Sequence, residues 1–147
     1  MHQAEANKAV VRAFADCYSR HDWQALAALC TEDFRWVVPI AAQVQSPQLR
    51  AQPYMMTAAE RSRDEMLEVF KFIIPAAVDE NFTVQIGVMT AEGDRVAAEA
   101  ESHAVSKSTG RVYHNRYMWL MYFRGGKVCL FKEYQDTLHC YDVWMAP

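Results

Sequence analysis

Apolar residues recur every three or four positions in the first half of the chain and every second position in most of the rest. From Glu5 to Arg20, Val10, Val11, Phe14, Cys17 and Tyr18 fall on one stripe, which predicts an amphipathic helix. His21-Asp22 interrupts it, and Asp22 is placed to cap a second short helix from Trp23 to Cys30. Phe34 to Val38 is a β-rich run halted by Pro39. The stretch from Ile40 to Met56 carries Pro47 and Pro53 and no clear period. It predicts a long loop that is functional, mobile, or holds a short helix. Thr57-Ala-Ala-Glu60 has capping-box spacing. It predicts a helix that buries Met66, Leu67, Phe70, Ile73 and Ile74, ends at Pro75, and turns Arg61, Arg63, Asp64, Glu65, Glu68 and Lys71 to solvent.

From Asn81 the period becomes two. Phe82, Val84, Ile86 and Val88 alternate with Thr83, Gln85, Gly87 and Met89. A turn at Glu92-Gly93-Asp94 leads to a strand from Arg95 to Lys107, and Ser108-Thr109-Gly110 turns the chain again. A hairpin then spans Gly110 to Asp136 around Arg124-Gly125-Gly126, whose glycines can take the positive φ of a tight loop. On its first strand Tyr113, Asn115, Tyr117, Trp119, Met121 and Phe123 share one face, and His114, Arg116, Met118, Leu120 and Tyr122 share the other. On the second strand Glu133 lies opposite Lys132 and Tyr134. Charges on both faces require that one meets water or that one points into a polar-lined cavity. Thr137 to Trp144 reads as a helical turn capped by Asp136. The order helix, helix, strand, helix, four antiparallel strands is that of an α+β domain with helices on one side of a curved sheet.

Composition narrows the reading. At 147 residues the chain suits one domain spanning 1–147 with one core. A formal charge of −3 offers no footprint for nucleic acid or an anionic membrane. No apolar run approaches membrane-spanning length, and the polar start MHQAEANKAVV does not resemble an export signal. Cys17, Cys30, Cys129 and Cys140 form no C-x-x-C pair and read as free, mostly buried thiols, with the cytoplasm as the default location. The five histidines show no paired ligand spacing, so no metal is expected, His103 opposite His114 being the one pairing of note. There is no glycine-rich phosphate loop or dinucleotide fingerprint, and no cofactor is expected.

Several words carry a resemblance: His21-Asp-Trp-Gln-Ala-Leu, Thr31-Glu-Asp-Phe, Gly93-Asp-Arg-Val-Ala-Ala-Glu99, Gly110-Arg-Val-Tyr-His-Asn-Arg-Tyr117, and Gly126-Lys-Val through Glu133-Tyr-Gln-Asp-Thr137. Together with the element order, they make the chain resemble the SnoaL-like, ketosteroid isomerase-related members of the nuclear transport factor 2-like superfamily. The resemblance covers nearly the whole chain and is weakest over 40–56. It implies a cone-shaped α+β roll of cystatin-like type. In it a strongly curved, mixed but mostly antiparallel sheet wraps around three helices and encloses an apolar pocket. The group hosts several chemistries, so activity has to come from residues. Where similar isomerases place a carboxylate before a proline, this chain has Val38 before Pro39. Their two oxyanion donors align with Phe14 and Trp119, Tyr18 lying one helical turn later. Where similar epoxide hydrolases place an Asp-Arg-Asp trio, it has Ser102, Ala100 and Glu133. Neither mechanism carries over.

What remains is Glu133, the only carboxylate in a lining that this register builds from Tyr113, Asn115, Tyr117, Trp119, Phe131, Ala98, Ala100, Ser102 and Trp36. Desolvation would raise its pKa from about 4.3 toward roughly 6–7, where a carboxyl can take and return a proton. Glu133 is therefore the candidate acid–base residue. Asn115, Tyr117, Trp36, Tyr18, Ser102, Trp119, Tyr113 and Phe131 are candidate contacts for a hydrophobic, oxygen-bearing small molecule, in a cofactor-free isomerisation, cyclisation or dehydration. A structural anchor role for Glu133, bonded to Tyr117 or Asn115, is the competing reading, and a non-catalytic ligand-binding or accessory domain is the alternative function. Glu99, Glu101, His103, His114 and Arg116 fall on the convex face. There Met118, Leu120 and Tyr122 add apolar area suited to a homodimer contact.

Overall fold

The computed structural model describes residues 2–39, 45–51 and 59–147, with backbone alone at 49, 50 and 59. Helix α1 (His2–Arg20) buries Val11, Phe14, Ala15, Cys17 and Tyr18 along the predicted stripe. His21 closes it at φ 58°, a left-handed conformation in which His is over-represented among non-glycine residues. Asp22 accepts the Ala25 N–H and caps α2 (Trp23–Ala28). Strand β1 (Cys30–Val38) begins earlier than predicted, so Thr31-Glu-Asp-Phe lies inside the strand rather than before it. A single helical turn, α3 (Pro47–Arg50), occupies the described part of the stretch read as a loop.

Two expectations for the next segment are corrected. Thr57 lies outside the described residues, but Glu60 belongs to a strand, β2 (Ala59–Ser62), that pairs antiparallel with β1. The capping box forms five residues further along: Ser62 accepts the Glu65 N–H at 3.2 Å, and Glu65 accepts the Ser62 N–H at 2.7 Å. Thr57/Glu60 and Ser62/Glu65 both fit the pattern. Pairing of 59–62 with the edge of β1 uses the first and leaves the second to start α4 (Arg63–Glu68). The helix also does not stop at Pro75. It widens into π turns over Val69–Ile73 and resumes as α5 (Ile74–Ala77). The Ile74 N–H reaches back to Val69 O, an i→i−5 bond, and such a widened turn accommodates a proline that an α turn would press against the preceding carbonyl.

Strands β3 (Thr83–Glu92), β4 (Arg95–Val105), β5 (Val112–Tyr113), β6 (Arg116–Arg124) and β7 (Lys127–Gln135) complete the sheet. Helix α6 (Thr137–Trp144), capped by Asp136 as predicted, ends it. The sheet order is β2-β1-β7-β6-β4-β3, with β5 on β4. Among the described strands only β1 and β7 run parallel, so the sheet is mixed and mostly antiparallel. It curls around α1 and the helix over 63–77, as the cone-shaped expectation requires.

Bulges supply the curl, since an extra residue bends a strand and increases its twist. One in β3 between Ile86 and Met89 corrects the predicted alternation: Val88 turns outward, 71% exposed, and Met89 packs against the core. Another lies in β7, where Tyr122 faces Leu130 and Phe123 faces Val128, leaving Cys129 as the extra residue. Inside the curl, Phe14 touches four rings, Tyr18, Phe34, Trp119 and Phe131, with centroids 5.1–6.5 Å away. Ala98 and Ala100 of β4 leave room for Trp119 and Tyr117 on β6, the pairing that the sequence predicts.

Candidate active site

The β7 bulge decides which acid enters the interior. Val128 is buried, and unbroken alternation from it would turn Leu130 and Lys132 inward. With Cys129 as the extra residue, Phe131 and Glu133 face in instead, at 0% and 8% exposure. Lys132 lies outside, its Nζ 6.0 Å from the centre of the Tyr122 ring. Glu133 sits directly across from Trp119 on β6. Its carboxylate ends in a slot lined by Tyr18, Trp36, Val69, Phe70, Ile74, Tyr113, Tyr117, Trp119, Gln135 and Trp144, with Ala77, Val78, Phe82 and Val84 closing the side. Among the described residues no Arg, Lys or His lines it. The slot is narrow, about 40 Å³, room for roughly three waters. Tyr18 and Phe70 stack at 4.0 Å, and Trp36 lies 5.6 Å from Phe70, so aromatic rings fill its inner end.

Burial raises the Glu133 pKa from 4.5 to about 8, and the Trp119 indole lowers it by a lesser amount. The indole N–H lies near enough to act on the carboxylate but does not complete a hydrogen bond to it. No hydrogen bond joins Glu133 to Tyr117 or Asn115, so the structural-anchor reading lacks its bonds. Desolvation wins here because no cation among the described residues offsets it.

The predicted contacts divide into two groups. Tyr18, Trp36, Tyr113, Tyr117 and Trp119 line the slot with Glu133, whereas Asn115, Ser102 and Phe131 stand behind its wall. The Tyr18 hydroxyl is directed at Met66 Sδ, 3.7 Å away. Tyr117 Oη lies 2.9 Å from Ser102 Oγ and 2.7 Å from Tyr113 Oη, and burial pushes both phenols above their ordinary range. Asn115 is fully used. Its Oδ1 accepts the Arg116 and Asp136 N–H groups at 2.8 and 3.1 Å, and its Nδ2 donates to Tyr113 Oη at 3.1 Å and Cys140 Sγ at 3.2 Å. By taking the Arg116 N–H, Asn115 breaks the predicted continuous strand into β5 and β6. Asn115→Ala should cost about 2–4 kcal/mol, since it orphans buried donors and acceptors; a urea unfolding midpoint that stays put would contradict this. The sequence reading missed Val69, Phe70, Gln135 and Trp144. Their only signal was helical spacing near Pro75 and parity with Glu133.

Among the described residues no helix is long and apolar enough to cross a membrane. Comparison with known proteins fits this architecture. No curated protein matches the chain. Solved structures resemble it over nearly their whole length. An NTF2-like protein of unknown function from Burkholderia pseudomallei is 17% identical, with a TM-score of 0.75 over 96% of this chain and 98% of that one. IdmH from Streptomyces antibioticus, described as a candidate polyketide cyclase, is 16% identical, with a TM-score of 0.72 over 95% and 99%. A Catenulispora acidiphila protein with a ketosteroid isomerase-like fold, solved in complex with trimethylamine, is 19% identical, with a TM-score of 0.71 over 94% and 93%. At these identities the likeness is one of fold. The family model for the SnoaL-like domain matches residues 11–131, from α1 through the β7 residue that shares its inner face with Glu133. The chain therefore belongs to the SnoaL-like domain family, within the NTF2-like fold.

Proposed function

We propose that the protein binds a hydrophobic, oxygen-bearing small molecule in the aromatic slot and moves a proton on it, with Glu133 as the acid–base group and no cofactor. Isomerisation, cyclisation and dehydration are the reactions in reach of one such group. The observation that carries the reading is a lone carboxylate in an apolar, aromatic lining, its pKa raised to about 8 by burial. A carboxyl with that pKa exchanges its proton readily near neutral pH. Among the described residues the lining has no cation to receive an anionic ligand, which favours a neutral molecule. The descriptions of the neighbours, a candidate cyclase and a trimethylamine complex, support a small organic ligand. Because rings fill the inner end, entry of anything larger than a few waters displaces Phe70 or Trp36.

A second reading, a non-catalytic binding domain, is favoured by one observation: the hydroxyls of Tyr117 and Tyr113, which line the slot with Glu133, already bond each other and Ser102 rather than the carboxylate. One experiment separates the two. Native mass spectrometry of freshly purified protein identifies the co-purifying molecule, and its turnover is then followed against pH. Proton transfer by Glu133 predicts a rate transition near pH 8 and a loss of roughly 10²–10⁴-fold in Glu133→Gln. Full turnover by that variant would leave only the binding role.

A further inference from the structure

The outer face of the sheet carries a second cluster, remote from the slot in function. Glu101 and His103, two residues apart on β4, share a face. His114, between β5 and β6, crosses to meet them. His114 Nε2 lies 2.9 Å and His103 Nε2 3.8 Å from Glu101 Oε2, and the two imidazoles stack with centroids 4.1 Å apart. One ligand atom from each of the three lies within 4.8 Å of the other two.

We propose that Glu101, His103 and His114 bind one divalent first-row transition cation, Zn²⁺ or a near neighbour, on this face. A tetrahedral zinc with bonds of about 2.0–2.1 Å holds its ligand atoms roughly 3.3 Å apart. The distances of 2.9 and 3.8 Å bracket that spacing, so closure needs only small side-chain rotations. Two imidazoles and one carboxylate suit zinc, copper or nickel rather than magnesium or calcium, which prefer all-oxygen shells. The three side chains are 35–44% exposed, so the fourth position opens to water.

The surroundings prepare the ligands. The hydrogen bond between His114 Nε2 and Glu101 Oε2 already aims both groups at one point. On metal binding, His114 Nε2 gives up any proton it shares with Glu101 and keeps one on Nδ1, since a ligating nitrogen must be free of hydrogen. The His114 backbone N–H donates to His139 Nε2 at 2.9 Å, which fixes the segment carrying the ligand. Arg116 lies 4.0 Å from the other carboxylate oxygen, Oε1, and is largely exposed, so it need not vacate the site. A bound cation would clip β4 to the β5–β6 junction across the Ser106–Gly110 turn.

Isothermal titration of the full chain with zinc chloride at neutral pH tests this, together with cobalt substitution read in the visible spectrum. The expected result is one equivalent bound. His103→Ala and His114→Ala should each weaken binding by more than the roughly 10–100-fold typical of losing a mere supporting partner of a ligand. The half-buried thiol Cys129 is the competing ligand, so Cys129→Ser should bind as the wild type does, and the cobalt spectrum should lack a thiolate charge-transfer band. Zinc affinity untouched by both histidine variants, a thiolate band, or no binding at millimolar zinc would each overturn the proposal. Because no slot residue is altered, these outcomes are independent of the fate of Glu133.

Discussion

Glu133→Gln should make the protein markedly less sensitive to pH than the wild type and more stable at alkaline pH. In the folded wild type the carboxyl keeps its proton up to about pH 8, against an ordinary value of 4.5. Below 4.5 both folded and unfolded chains are protonated, and the group's favourable contribution is fully present. As pH rises from there, the unfolded chain releases its proton while the fold retains its own. Stability therefore falls by about 1.4 kcal/mol per pH unit. The decline ends once Glu133 ionises inside the fold, near pH 8, by which point it has accumulated to on the order of 4 kcal/mol. Glutamine does not titrate, so the variant lacks this slope. Urea unfolding of both proteins from mildly acidic to mildly alkaline pH would show curves that diverge steadily. Parallel curves would mean that the carboxylate is solvated, and the proton-transfer proposal would fall with them.

Phe14→Ala should be the most damaging single truncation in the core. Phe14 is fully buried and touches the rings of Tyr18, Phe34, Trp119 and Phe131 at once. The loss is that of the transferred area plus a cavity that a ring of stiff aromatics cannot close, about 3–5 kcal/mol. For a chain of this size that amounts to roughly 10–15 °C in Tm. Since Tyr18 and Trp119 lean on Phe14 and also line the slot, their near-ultraviolet circular dichroism should weaken together. A variant melting within a degree or two of the wild type would show that the interior refills the gap.

Much of this was legible in the sequence because it depends on local chemistry. Asp22 and Asp136 cap helices where they were expected to, since a short acceptor side chain before an apolar period admits few alternatives. The pairing of Ala98 with Trp119 and Ala100 with Tyr117 followed from one turn and period-two counting. What failed needed knowledge of neighbours. Thr57/Glu60 and Ser62/Glu65 carry the same local signal, and only the edge of β1 chooses between them. Pro75 reads as a terminus unless the π turns before it are known. Asn115, expected to face a ligand, spends its amide on the backbone and on α6, a role visible only once β6 and α6 meet. The meeting of His103 with His114 was legible from the turn at Ser108-Thr109-Gly110, but the approach of Glu101 to both imidazoles was not.

Cys129 deserves a last consequence. One surplus residue in β7 sets whether the hollow receives an acid or a base, because it alone puts Glu133 in and Lys132 out. A scaffold wired this way can trade a proton acceptor for an amine by a one-residue insertion between Phe131 and Lys132, which turns Lys132 in and Glu133 out while Val128 and Phe131 keep their places. Insertions and deletions in this strand, rather than substitutions in the lining, are then the short route by which such a domain changes its chemistry.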